Sequence, residues 1–318
     1  MTHRRAARQS RSRLHNLKTP AMPENAVDLL PECAPHDPTP RAPRIAVPAG
    51  ACDVHAHVCG PREQFPLVAN RLYNPPQAPL ADYLHMLDAL GLERGVLVQP
   101  SVYGTDNRAM LEALARAPDR LRAVAVVPFD VSAEDIARLH ALGVRGVRCN
   151  IVDLKEGKGQ LPIDGLRALA ATIARHGWHI EFLMHVNEFP DLDTQLGSIP
   201  VPLVFGHLGY VPAQLGDTPG FEALLRLAKA RRAWIKLTAP YRLTLQALPY
   251  PATRMAAQRL LDEVPDRLMW GSDWPHVFIK SAMPNDGELF NLFVDWVGDR
   301  PQLQTILVDN PAEVYGFR

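Results

Sequence analysis

From Cys52 onward, short β-branched or apolar runs alternate with amphipathic segments of roughly 10–15 residues, and no other property of the chain narrows its fold as far. The runs are CDVHAHV (52–58), GVLVQP (95–100), LRAVAVVP (121–128), GVRCNI (146–151), HIEFLMH (179–185), PLVFGHLG (202–209), AWIKLTAP (233–240) and RLMWGSDWP (267–275). Segments between them, among them ADYLHMLDALG, SAEDIARLHALG and FEALLRLAKARR, carry an apolar stripe at i, i+3/i+4 and i+7. Continuous apolar strands connected through helices predict a parallel sheet with helices over it. Eight such units in about 265 residues match the size of a closed (β/α)8 TIM barrel. The competing open, doubly wound sheet lacks its usual GxGxxG turn after the first strand.

Composition removes several classes of function. Lysine plus arginine number 34 against 34 aspartate plus glutamate. A neutral balance argues against nucleic acid as a partner, because phosphate binding relies on clustered positive charge. No apolar stretch approaches the roughly 18 residues needed to span a bilayer, so no membrane partner is expected. Cys33, Cys52, Cys59 and Cys149 form no CxxC pair and are too few for a disulfide framework, so a reducing, cytoplasmic setting is expected. Many of the 30 prolines crowd the N-terminal region, where they remove backbone donors and oppose regular structure. Residues 1–48 therefore read as a basic, proline-rich arm, partly disordered or strapped onto the body, and 49–318 as one catalytic barrel domain. Arg4 and Arg5 are not followed by the apolar stretch of roughly 7–15 residues that export requires. Phe293 and Trp296, in ELFNLFVDWVG, are read as core.

Barrels of this kind build their sites at the C-terminal ends of the strands. On the first strand His55 and His57 fall on one face, and two imidazoles so spaced form one edge of a metal site. The fifth strand ends in His185, the sixth in His207, and the eighth in Gly271-Ser272-Asp273-Trp274-Pro275-His276. Arg148 and Asn150 end the fourth, and the seventh leads to Arg242. Any single histidine here is as easily a packed core residue, but packing rarely brings histidines and an aspartate to several strand ends at once.

This pattern resembles the amidohydrolase superfamily, of the amidohydrolase-2 type, and within it the lactonase branch that includes 2-pyrone-4,6-dicarboxylate lactonase. The resemblance spans roughly 50–316 and rests on DVHAHVCGP, RLYNP, VQPSVYGTDN, GVRGVRCN, FGHLG, LTAPYRL, WGSDWPH and LVDNPAEVYG. It implies hydrolysis of a carboxylated lactone, a pyrone dicarboxylate or a related muconolactone or sugar-acid lactone, by water activated at Asp273. His55, His57 and His207 then polarise the carbonyl or hold a metal, and the hydroxyls of Tyr73 and Ser101 bind substrate. Arg148 and Arg242 match arginines that grip a carboxylate in a fork. His276 lies near the leaving oxygen or supports Asp273 from behind. The resemblance breaks at Leu154 and Tyr210, where the lactonase has arginines, and at Phe278, where it has a polar group. Lys155 or Lys158 are the nearby substitutes for the first. His185 is a further departure, because metal-dependent members of the superfamily carry such a histidine and the pyrone lactonase type does not. His55, His57, His185 and Asp273 would give one zinc or manganese ion three nitrogens and an oxygen, the alternative being a metal-independent mechanism. A metal-dependent decarboxylase on the same barrel and a non-catalytic carboxylate-binding protein are the other classes left open.

Overall fold

The computed structural model describes residues 30–152, 160–298 and 300–317, and Leu154, Lys155 and Lys158 lie outside them. Eight strands form one parallel sheet in sequence order: β1 Cys52–Ala56, β2 Arg94–Val98, β3 Leu121–Ala125, β4 Val144–Asn150, β5 His179–Leu183, β6 Leu203–Phe205, β7 Ala233–Leu237 and β8 Leu268–Trp270. Past the end of β8 the ring closes on β1. Ala56 bridges Trp274 in parallel, His57 N donates to the Trp274 carbonyl at 2.7 Å, and Asp273 N donates to the His55 carbonyl at 2.8 Å. The chain is thus a (β/α)8 TIM barrel, and its seam between β8 and β1 is where His55, His57 and Asp273 meet.

The helices cover this sheet where the amphipathic segments predict them: α1 Leu80–Leu90, α2 Arg108–Arg116, α3 Ala133–Ala141, α4 Ile163–Ile173, a short α5 Leu192–Leu196, α6 Pro219–Lys229, α7 Arg254–Glu263, α8 Asp286–Val297 and α9 Asn310–Tyr315. Local sequence fixes several of their ends. The Ser132 hydroxyl accepts from Asp135 N at the start of α3, and Thr218 accepts from Phe221 N before Pro219 at the start of α6. Phe293 and Trp296 on α8 are buried, so they belong to the core. Among the described residues no helix is long and apolar enough to cross a membrane.

Residues ahead of the barrel lie along this seam. The Cys33 Sγ accepts from Phe278 N at 3.1 Å, and the His36 ring packs 4.7 Å from that of Trp274. Asn285 donates to Asp37 and to the Thr39 carbonyl, and its Oδ1 accepts from Arg41 N. Gly287 is required beside this contact, since a Cβ there would stand 1.9 Å from the Arg41 carbonyl oxygen.

Candidate active site

Short loops at the ends of β1, β6, β7 and β8 bring the chemistry together. β8 reaches β1 closely because residue 271 is glycine: a Cβ there would stand 2.9 Å from the His55 backbone nitrogen. Beyond it the backbone turns sharply, with Asp273 at φ 67° and His276 at φ 62°, and His207 after β6 lies at φ 53°. Non-glycine residues adopt that region at a cost, and such strain gathers where side chains must be aimed.

Asp273 is fully buried at the centre, and its two oxygens have different surroundings. Oδ2 accepts from the Tyr241 hydroxyl at 2.7 Å and from Arg242 Nε at 2.8 Å. Oδ1 makes no hydrogen bond and faces His55 Nε2 at 3.4 Å and His57 Nε2 at 3.7 Å. Burial alone would raise this carboxyl, but the Arg242 guanidinium beside it holds it well below the ordinary carboxylate range.

The histidines are held neutral. Burial, with His55 and Arg148 nearby, pushes His57 down to about 3, and burial drives His207 well below its ordinary value. His57 Nδ1 lies 2.7 Å from the Val98 carbonyl, which can only accept, so Nδ1 carries the proton and Nε2 presents a lone pair. His207 Nδ1 lies 2.7 Å from the Thr238 hydroxyl, and its ring packs 5.2 Å from that of His55.

His55, His57 and Asp273 each offer one ligand atom, all within 4.8 Å of one another. Two imidazole nitrogens and a carboxylate oxygen suit a divalent ion such as zinc. His55 Nε2 and Asp273 Oδ1 are both buried without a hydrogen-bond partner, so the pocket fits a cation on its own geometry. The structure does not bring His185 into this group. The β5 ladder ends at Leu183, and His185 follows it, stacked 4.3 Å from the Tyr210 ring with Nδ1 at 2.7 Å from the Tyr210 carbonyl. Tyr210 stands in turn edge-on to His207 at 5.4 Å, so His185 supports the wall of the site through it.

Of the expected substrate groups, Arg148 is the most available. It is buried, donates through Nη1 to the Gln99 carbonyl at 2.9 Å, and its Nε has no partner. No carboxylate pairs with it among the described residues, which leaves a buried cation suited to an anionic ligand. Tyr73 and Ser101 are hydrogen-bonded to each other, and the Tyr73 ring stacks 5.3 Å from Phe278. Arg242, expected on a substrate carboxylate, is bound to Asp273 and donates through Nη2 to the Val277 carbonyl at 2.9 Å. It also lines a cavity of about 500 Å³ with Tyr210, Tyr241, Phe278 and Lys280. His276 sits behind the site, with Nδ1 2.9 Å from the Tyr241 hydroxyl and Nε2 3.0 Å from Asp286 Oδ1. Both its nitrogens are thus taken up by protein partners, and its contact with Asp273 runs through the Tyr241 hydroxyl.

Sequence reasoning missed Tyr241, Thr238, Asp286, Glu181 and Lys236. The last two left a signal, since each is a charge in the middle of an otherwise apolar strand, HIEFL and AWIKL. Lys236 and Glu181 pair at 2.6 Å in the buried interior, and Glu181 Oε1 lies 3.2 Å from His55 Nδ1. Burial would raise the Glu181 carboxyl, but Lys236 and His55 hold it well below its usual range.

A family model described as Amidohydrolase matches residues 52–317. A 4-sulfomuconolactone hydrolase of Hydrogenophaga intermedia is 33% identical over 298 residues, covering 93% of this chain and 98% of the relative. A 2-pyrone-4,6-dicarboxylate hydrolase of Comamonas testosteroni is 36% identical over 287 residues, covering 87% and 93%. The crystal structure of a probable 2-pyrone-4,6-dicarboxylic acid hydrolase from Acinetobacter baumannii, with citric acid bound, superposes with a TM-score of 0.74 at 30% identity, covering 84% of this chain and 100% of that one. With the barrel, the seam histidines and the β8 aspartate in place, the chain belongs to the amidohydrolase family.

Proposed function

We propose that this protein hydrolyses a carboxylated lactone at the β8–β1 seam. The observation that carries the reading is the division of labour at Asp273, whose Oδ2 is pinned by Tyr241 and Arg242 while Oδ1 is buried, without a hydrogen bond, between His55 and His57. The likeness to the two lactone hydrolases over nearly their full length supports the same reaction class.

In this reading a water beside Asp273 Oδ1 attacks the lactone carbonyl carbon and gives its proton to that oxygen. His207 stabilises the oxyanion that forms, the kind of contact whose loss costs roughly 10²–10³ in rate. The ring C–O bond then breaks, and the proton held on Asp273 passes to the leaving oxygen, so that one lactone and one water yield a hydroxy acid or its keto tautomer. Arg148 orients a substrate carboxylate, with Tyr73 and Ser101 beside the ring. Arg242 keeps Asp273 ionised at neutral pH, and it lines the neighbouring cavity, where it can meet a second anionic group of the substrate. His55, His57 and Asp273 are the residues that would hold zinc or manganese, which when bound supplies Lewis acidity at the reacting oxygens. Tyr210 and Phe278, which replace polar groups of the pyrone lactonase, favour a substrate with fewer carboxylates than the pyrone.

The test is proton release from a panel of mono- and dicarboxylated lactones, with the protein prepared metal-free and zinc-replete. Turnover is expected on at least one monocarboxylated lactone, and Asp273→Asn should abolish it while leaving the circular dichroism spectrum unchanged. Retained turnover in that variant would remove Asp273 as the base. Release of CO₂ in place of ring opening would put the decarboxylase reading ahead.

A further inference from the structure

The ion pair inside the barrel has no role in the reaction as drawn, yet it touches the site at one point. Lys236 Nζ donates to Glu181 Oε2 at 2.6 Å and to the Val54 carbonyl at 2.8 Å, and it lies 3.3 Å from His55 Nδ1. Glu181 spends Oε2 on Lys236, so its second oxygen, Oε1, has His55 Nδ1 at 3.2 Å as its partner. Two hydrogen arrangements are open at His55. If Nδ1 is bare, Lys236 donates to it, and Glu181 Oε1 faces a lone pair with no hydrogen between them. If Nδ1 carries the proton, it donates to Glu181 Oε1, and Lys236 keeps its two shorter bonds. The second arrangement leaves no carboxylate oxygen unsatisfied in a fully buried setting, where each such loss costs roughly 1–3 kcal/mol.

That choice decides what faces Asp273. With the proton on Nδ1, the Nε2 of His55 presents a lone pair, as the Val98 carbonyl already requires of His57. Two imidazole lone pairs and Asp273 Oδ1 then converge within 4.8 Å with no hydrogen among them, an arrangement that repels itself until a cation, or the hydrogens of a water, sit between, and a cation alone meets all three acceptors at once. His55 Nε2 and Asp273 Oδ1 are the two atoms of this group buried without a hydrogen-bond partner, which agrees with that account.

We propose that Glu181 and Lys236 are a positioning pair that fixes the His55 tautomer so that His55, His57 and Asp273 bind a divalent cation. The inference rests on the metal-assisted form of the reading above and extends it to two residues that touch no substrate. Outer carboxylates that orient a metal-bound histidine typically contribute 10- to 100-fold in affinity. The double variant Glu181→Leu/Lys236→Met removes both charges at similar volume, and so avoids leaving one of them buried alone.

Zinc affinity of the full chain, by competition with a chromophoric chelator, tests this. The double variant should bind zinc roughly 10- to 100-fold more weakly than the wild type, with its melting temperature near the parent's. A second measurement is a long-range proton–nitrogen correlation spectrum of the metal-free wild type with isotope-labelled histidine, the signals assigned with His55→Gln. It should show the His55 proton on Nδ1. Unchanged zinc affinity in a folded double variant, a proton on Nε2, or no zinc binding by the wild type would each overturn the proposal. If the double variant does not fold, the spectrum decides alone. A chain that passes both tests but opens no lactone would keep this inference and lose only the hydrolase reading.

Discussion

Tyr241 bears on catalysis because a carboxylate with two free oxygens can turn, whereas one oxygen held by a hydroxyl and a guanidinium leaves the other with a single direction. Behind it the hydroxyl is steadied by His276, which is steadied by Asp286, so a chain of buried polar groups ends on Asp273 Oδ2. Tyr241→Phe removes one charge-assisted hydrogen bond, worth about 1.5–3 kcal/mol when made to an ionised group. On whichever lactone is turned over fastest, kcat should fall roughly tenfold with little change in KM, because the contact serves the base and not the ligand. A variant with unchanged kcat would reduce Tyr241 to packing. Of this chain the sequence offers Asp273 and, as one of two readings, His276 behind it, but neither Tyr241 nor Asp286. LTAPYRL marks its arginine as the chemical residue, yet the tyrosine beside it reaches the same Asp273 oxygen at the same 2.7 Å as the guanidinium. Asp286 lies in no motif, and only the fold carries the start of α8 under His276.

At the scale of elements, all eight strands are legible as apolar runs, and their C-terminal limits are where the reading overshoots. The run RLMWGSDWP suggests a strand to 275, but the ladder of β8 stops at Trp270. Gly271 to His276 leave extended geometry because Asp273 and His276 take positive φ, which an apolar pattern cannot signal. Asp273 and His276 thus owe their direction to leaving the strand they follow. Asp53 holds this departure in place. Its Oδ1 accepts from His55 N at 3.0 Å and Ser272 N at 2.9 Å, and its Oδ2 accepts from the Ser272 hydroxyl at 2.6 Å and the Tyr83 hydroxyl at 3.2 Å. One carboxylate therefore joins β1, the β8 loop and α1. In Asp53→Asn an amide NH₂ must face donors where an oxygen accepted them, so unfolding should be easier by roughly 1–3 kcal/mol. Ser272→Ala, which spares Asp53 and leaves its two backbone bonds, should cost less. Equal stability of Asp53→Asn and the parent in urea would show that other contacts close the seam.

For the whole molecule, the buried histidines set how stability changes with pH. His179, at the start of β5, is pushed down to about 4 by burial, and His57 down to about 3. Above the ordinary histidine pKa near 6.5 both are neutral whether folded or unfolded, and they contribute no pH dependence. Below it the unfolded chain binds protons that the native barrel refuses, so each histidine lowers stability by roughly 1.4 kcal/mol per pH unit until its folded value is reached. Asp53 acts with the opposite sign. Burial pushes it up to about 6, so between there and the ordinary carboxylate value near 3.8 the native state holds the extra proton and gains stability as pH falls. His179 and His57, joined by His207, whose value burial also lowers, outweigh the one aspartate and leave a net loss on acidification through this window. Below it, Asp273 and Glu181, whose carboxyls the neighbouring cations hold well under the ordinary range, lose their contribution as the unfolded chain protonates first. His179 separates the fold from the site, because it lies at the opposite end of β5 and packs against Gly146 and Tyr315. His179→Leu should remove about 1.4 kcal/mol per pH unit from the slope of unfolding free energy between roughly pH 6.5 and 4, in urea titrations at constant ionic strength. A slope identical to the parent's would place the acid sensitivity in the seam histidines, and pH would then act on stability and on the site through the same groups.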